Sequence, residues 1–433
     1  MNAFTRVIGA AVAVILPIWL VAQPARAPAA IDEFARLQAE LRSTHESGDS
    51  AAYLAASQSM FAFLNGSPSA VLQLMSAQSF AGNTDEALHS FGQFAAMGQA
   101  NEEVLKAKSF DPLRGLPEFQ RIHAAMGANS AVTSDAEEVF RLQSAARIPE
   151  DIDYDPETKD FYISTVLGKQ ILQVNRAGRA RVFARAPDQW PMMALKIDSQ
   201  RRVLWATEVA LDGFATAPKE DWGRSAILEY DLRSRKLLKR IEGPPQAALG
   251  DMALAANGDP IVSDGEHGGV YRASRRTMSV VRIDAGDFVS PQTPAVLLDG
   301  RRILVPDYVR GLGVFDLNTK HVDWIPSQGK HALSGIDGLY VFGNTLIATQ
   351  NGVSPERVVR FTLNGWKSRI LSESIIERAT PTLGDPTHGV VVAGYFYYIA
   401  NSGWDSLDEH GVLKEGKTMT APSIMRARIN RAG

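Results

Sequence analysis

Six stretches decide the fold: FYIST (161–165), LWATE (204–208), PIVSD (260–264), LVPD (304–307), LIATQ (346–350) and YYIAN (397–401). Each is a short hydrophobic strand ending on a polar residue, in turn Thr165, Glu208, Asp264, Asp307, Gln350 and Asn401. The end residues follow one another at intervals of 43, 56, 43, 43 and 51 residues. A period in the forties built of short strands is what a β-propeller leaves in a sequence, one blade per repeat. In three repeats another polar residue stands thirteen positions earlier: Asp251, Asp337 and His388. Turn-forming stretches such as AANGDP and VFGNT lie between the two. Two antiparallel strands joined by a tight turn return to the level at which they began. Both polar positions are therefore expected on one face of the disc, with the earlier one bordering the central channel. The other blades fit with a longer turn, offering Glu150 or Asp151 in blade 1, Met193 or Ala194 in blade 2, and Gln292 or Thr293 in blade 4.

The fold expected is mainly β: a six-bladed β-propeller over 137–430, preceded by a small all-α domain over 30–127 and a linker over 128–136. Ring closure follows from strand counting. PSIMRARI (422–429) supplies only the third strand of blade 6, and EEVFRLQ (137–143) has the alternation to supply the fourth. Three insertions, 210–225, 382–387 and 402–420, fall where they overhang the channel mouth. Long loops on one face of a rigid scaffold are usually binding loops. Two of them carry Trp222 and Trp404, suited to stacking on a sugar-like or aromatic ligand or to packing the loops down. Asn401 is a further candidate substrate contact. In the helical region, GNTDEALHSFGQF resembles one tetratricopeptide-type hairpin, with Gly82 at the turn and Ala87 and Phe91 as small and bulky contacts. Such a domain is a place for a protein partner to dock.

Composition bounds the rest. A net charge of −3 over 433 residues gives no field for nucleic acid. The absence of cysteine removes thiol nucleophiles, thiolate metal sites and disulfides together. At the N-terminus, Arg6 precedes a nearly unbroken apolar run, Val7 to Ala22, followed by Ala27-Pro28-Ala29. This pattern predicts a secretory signal peptide over 1–29 rather than a membrane anchor, hence a periplasmic or secreted protein without a stable span after cleavage. GVLKEGKT (411–418) matches the phosphate-loop expression by chance, since Pro422 follows too soon for the helix such a loop must open.

Carboxylates and amides converging on a water-accessible axis suit a hard divalent cation such as calcium, and Glu150, Asp251, Gln292 and Asp337 are the candidate donors. His388 is the one histidine at an inner-strand start and a candidate general base or substrate donor. No G-x-S-x-G or H-E-x-x-H is present, so hydrolysis here would be metal- or carboxylate-driven. On these residues the propeller resembles the senescence-marker-protein/gluconolactonase superfamily. Glu150 in IPEDIDYD matches a family ligand, with Asp-Ile in place of the usual Gly-Pro. Asp337 in SGIDGLYV matches a second, while Gln292 stands nearest the place of a third, usually Asn. Asp251 in LGDMAL matches a position near substrate. The resemblance implies a cation on the axis and hydrolysis of a lactone or ester, with Asp251 or His388 nearest the reacting carbonyl. The alternatives are a non-catalytic propeller that binds a ligand or protein, and an isomerase or lyase using His388.

Overall fold

The structure is a computed structural model that describes residues 29–143, 147–365 and 367–429. The expected signal peptide, apart from Ala29, lies outside the described residues. Six antiparallel sheets form six blades around an axis. Blade 1 is built from Pro149–Asp155, Asp160–Thr165, Gln170–Val174 and Ala180–Arg185 in sequence order from the axis outward. The inner strands of the next five blades are Met192–Asp198, Leu249–Leu254, Ala295–Val296, Ile336–Phe342 and Gly389–Val392. Blade 6 is completed by Ala136–Arg141, which pairs antiparallel with the last strand, Ser423–Arg428, as strand counting requires.

The core lies in the seams between blades, and strand alternation puts it there. In FYIST, Phe161 and Ile163 pack toward blade 6 while Tyr162 packs toward blade 2. In LWATE, Leu204 and Ala206 face blade 1 while Trp205 faces blade 3. In LIATQ, Leu346 and Ala348 face blade 4 and Ile347 faces blade 6. Each blade is thus buried on both faces, which is why these strands read as nearly continuous apolar runs. A charged clasp joins blades 1 and 2: buried Asp155 accepts two hydrogen bonds from Arg202, at 2.5 and 2.9 Å.

Helices α1 (Ala30–Glu46), α2 (Ser50–Phe63), α3 (Pro68–Phe80), α4 (Thr84–Ala96), α5 (Asp111–Arg114) and α6 (Pro117–Met126) precede the propeller. Asp49 caps α2 by accepting the N–H groups of Ala51 and Ala52. Gly82 makes the α3–α4 turn at φ +77°, and Ala87 and Phe91 are fully buried. The helical domain sits on the propeller's mouth face, over blades 4 and 5. Ala332 and Val353 from the propeller join its core, Ala100 N–H donates to Ser354 O at 2.6 Å, and the Arg310 guanidinium lies 4.3 Å from the Phe63 ring centroid. Arg357, fully buried, donates to Gln350 at 2.7 Å and pairs with Glu373 at 3.2 Å beneath Gly98 of the helical domain. The segment read as a linker holds a short strand, Thr133–Ser134, added to the edge of blade 5. No described helix is long and apolar enough to cross a membrane, and Gly411–Thr418 forms no helix.

Candidate functional site: the axial cluster

A ring of hydroxyls positions the inner-strand starts. The residue before the strand end is Ser164, Thr207, Ser263 or Thr349 in four of the blades. Asp151, Ala194 and Gly338 N–H groups donate to Ser164, Thr207 and Thr349. Ser164, Ser263 and Thr349 in turn donate to the carbonyls of Met193, Gln292 and Thr387 in the following blade. These side chains tie blade 1 to blade 2, blade 3 to blade 4 and blade 5 to blade 6 just where the polar residues of the mouth are presented. The strand-end residues serve the turns behind them: Asp307 accepts from Val309 and Arg310 N–H, and Gln350 donates to Ala332 and Ser334 carbonyls.

The three residues marked by the thirteen-residue spacing converge. Asp251, Asp337 and His388 each offer a ligand atom within 4.8 Å of the others. His388 Nε2 lies 2.6 Å from Asp251 Oδ1, and its Nδ1 lies 2.8 Å from the Glu150 backbone carbonyl. A carbonyl only accepts, so Nδ1 carries a proton and Nε2 faces the carboxylate. The Glu150 carboxylate stands beside the cluster, 4.0 Å from His388 Nδ1, and accepts the Trp404 indole N–H at 2.5 Å. All four residues are buried.

The electrostatics follow from burying three carboxylates around one imidazole. Burial pushes Glu150 up to about 8, opposed by His388 and reinforced by Asp337. Burial likewise pushes Asp337 up to about 7, with Asp251 and Asp385 adding to the rise. For His388 burial acts downward, but Asp151, the hydrogen bond to Asp251 and the charge of Asp337 outweigh it and hold the imidazole well above its ordinary value.

Other expected site residues fall elsewhere. Gln292 turns away from the axis: its amide donates to Ser290 Oγ at 3.1 Å, and its backbone is fixed by Ser263 Oγ and by Pro306 O. Thr293, the other residue the longer turn offered, takes the place and donates to Asp251 Oδ1 at 2.8 Å. Of the pair in blade 1, Asp151 points to Lys196 Nζ at 2.6 Å and to Leu195 N–H, leaving Glu150 for the mouth. Trp222 is not brought to the cluster; it packs against Trp190, Ala210 and Ala217 and donates to Ala217 O. Asn401 bonds Thr420, Ala421 and Ser423, closing the base of the 402–420 loop. One contributor and one contact between the expected loops were not anticipated. Asn351, the residue after a strand end, donates to Asp337 Oδ2 at 2.9 Å and accepts from Tyr308 OH at 3.0 Å. The insertions of blades 2 and 6 interlock over the mouth: Phe214 meets Trp404 at 5.8 Å between centroids, and Ala215 N–H donates to His410 O at 2.9 Å.

No protein-family model matches the chain, and no curated protein matches it significantly. Among solved structures, the chain is similar to virginiamycin B lyase from Staphylococcus aureus, at 15% identity over 67% of this chain and 98% of that one, with a TM-score of 0.45. It is similar to the PQQ-bound aldose sugar dehydrogenase from Streptomyces coelicolor, at 13% identity over 69% and 98% with a TM-score of 0.47. It is also similar to a gluconolactonase from Xanthomonas campestris, at 13% identity over 68% and 89% with a TM-score of 0.46. At these identities the likeness concerns architecture alone. The chain is a six-bladed β-propeller carrying an N-terminal helical domain.

Proposed function

We propose that the axial cluster holds a divalent cation through Asp251, Asp337 and His388, and that the protein is an exported hydrolase of small lactones or esters. The observation that carries this reading is the convergence of those three ligand atoms within 4.8 Å. The donor set fits a cation in place of the proton on His388 Nε2: three buried carboxylates, Glu150, Asp251 and Asp337, surround a single imidazole, and they hold it above its ordinary value because they favour a positive charge among them. A histidine among oxygen donors admits manganese or zinc beside calcium. Bound there, the ion supplies a Lewis acid for a carbonyl oxygen.

The chain's own residues do the remainder. Thr293 orients Asp251, and Asn351 orients Asp337. The Glu150 carbonyl fixes the His388 ring so that Nε2 faces the cluster. Glu150, engaged by Trp404 and with its pKa raised toward the working range, is the carboxylate available to take a proton from water. The interlocked loops of blades 2 and 6 exclude bulk water.

The test is calorimetric titration of the chelator-stripped mature protein with calcium, manganese and zinc, beside Asp337→Asn, followed by a lactone and ester screen. Binding lost in the variant, with turnover restored by the same ion, supports the proposal. Absence of binding in the wild type sinks it. Binding without turnover supports the second reading, a non-catalytic ligand-binding propeller, which the burial of the cluster beneath its loops favours.

A further inference from the structure

The turns joining the first strand of each blade to the second, and the third to the fourth, make up the propeller face opposite the mouth. Carboxylates at the strand ends organise them. Asp155, Asp198, Asp231 and Asp316 accept the backbone N–H groups of Glu157, Arg201, Ser234 and Asn318 in the turns that follow. The charged side chains left to solvent are mostly cations, among them Arg176 and Arg179 in blade 1, Arg235 and Lys236 in blade 2, Arg276 in blade 3 and Lys320 in blade 4. Among the described residues, the exposed carboxylates of these turns are Glu157 and Asp299. Arg233 reaches Glu157 at 3.4 Å and Arg301 pairs with Asp316 at 2.6 Å. Arg235, Lys236 and Arg276 have no acidic partner among the described residues. In the mouth loops the balance reverses: exposed carboxylates such as Asp212, Glu220, Glu266 and Glu409 outnumber the exposed cations. A propeller in a chain of net charge −3 is therefore bipolar, with its positive end facing away from the axial cluster.

The same turns raise apolar side chains among these cations. Leu298 is 96% exposed at the tip of a blade 4 turn closed by Gly300 N–H donating to Leu297 O at 2.9 Å. In blade 2 the run Arg235-Lys236-Leu237-Leu238-Lys239 leaves both leucines exposed, and a bulge between Leu237 and Lys239 takes Leu238 out of the ladder. Met278 ends the blade 3 turn two residues after Arg276 and is exposed as well. A single exposed apolar residue needs no explanation. Here three consecutive blades each present one or two beside a cation, all on one face.

We infer that this face docks on an anionic lipid bilayer, with the cations at headgroup phosphates and Leu298, Met278 and the blade 2 leucines dipped into the acyl boundary. A bilayer satisfies both features at once. A nucleic acid engages the cations and leaves the leucines in water. A folded protein partner calls for a contiguous apolar patch, whereas these tips stand apart with charge between them. Docked in this way, the propeller turns its mouth and interlocked loops to the aqueous side. Such docking is independent of the chemistry proposed for the axial cluster.

The experiment is co-sedimentation of the mature chain, residues 30–433, which lacks the apolar N-terminal run, with vesicles of phosphatidylcholine containing phosphatidylglycerol and with phosphatidylcholine alone. Binding is expected to the anionic vesicles only, and to weaken as salt rises, because screening shortens the reach of surface charge. Arg235→Gln with Lys236→Gln is expected to lower the partition coefficient by about fivefold per cation, about 25-fold for the pair. Arg276→Gln serves if that double variant does not fold. Leu298→Ser is expected to lower it by about tenfold. Lys414→Gln with Lys417→Gln, which removes two exposed cations of a mouth loop, leaves it unchanged. Absence of binding to the anionic vesicles overturns the docking face, as does an equal loss in the mouth-loop variant. Binding that a DNA duplex competes away and that Leu298→Ser does not weaken marks a general polyanion surface, and overturns it too.

Discussion

Thr293→Val tests how the axial cluster is built. Valine keeps the volume of threonine and removes one hydroxyl, which donates to Asp251 Oδ1 at 2.8 Å in a nearly solvent-free position. A hydrogen bond to a buried charged acceptor contributes about 1.5–3 kcal/mol. If Asp251 holds a cation, losing its orienting donor lowers affinity by about 10- to 100-fold, the range found when partners of metal ligands are removed. The assay is calorimetric titration with the ion that binds the wild type best. Gln292→Ala, one residue away, is the control. Its amide bonds stay within its own loop, so its affinity stays within about twofold of wild type. Thr293→Ser keeps a hydroxyl and restores most of the loss. The reasoning is refuted if Thr293→Val binds like wild type, or if Gln292→Ala weakens binding as much.

Three further outcomes follow from other parts of the molecule. For Asp155, burial raises the pKa, but the Arg202 and Thr158 hydrogen bonds more than reverse it and hold the carboxyl at about 2. Its contribution is therefore present above its ordinary value and lost as pH falls from about 4 toward 2. Asp155→Asn flattens urea midpoints in that window, and an unchanged slope contradicts the clasp. Gly98→Ala puts a Cβ 2.6 Å from Arg357 Nη1 at φ +77°, destabilising the protein by about 1–3 kcal/mol by chemical denaturation; an unchanged midpoint contradicts the tight seating of the helical domain. Trp404→Phe removes the donor that lowers the Glu150 pKa. The acid limb of lactone hydrolysis then moves upward in pH, and a limb that stays or moves down rejects Glu150 as the base.

The repeat of strand ends made the blades legible, because each strand packs on both faces and alternation runs uninterrupted through the seams. The same regularity located Asp251, Asp337 and His388, since a tight hairpin conserves level from one strand to the next. It failed to choose between Gln292 and Thr293, where the inner strand of blade 4 is only Ala295–Val296 and Pro291 and Pro294 interrupt the ladder that would set parity. In blade 1 a register shift between Pro149 and Ile152 blurs the same choice. Trp404 was visible as an overhanging aromatic, but its partner Glu150 is 254 residues away, and no local pattern reports such a contact. Asn351 was hidden for a simpler reason: it stands just past a strand end, where polar residues ordinarily serve the turn. Trp222 shows the converse, an aromatic placed for a ligand by its loop and used instead to pin that loop.

The pairing of Ala136–Arg141 with Ser423–Arg428 has a consequence in time. The closing strand is among the first parts of the propeller to be made, and its partner is the last. Until that partner arrives, an amphipathic strand waits with both edges unpaired, which is the condition in which chains pair with the wrong neighbour. Contacts between such distant segments also form slowly. The interval between synthesis of these two strands is therefore a window of vulnerability. Slowing translation near the C-terminus, or deleting the final strand, would lower the yield of soluble protein more than damage of equal size within any middle blade.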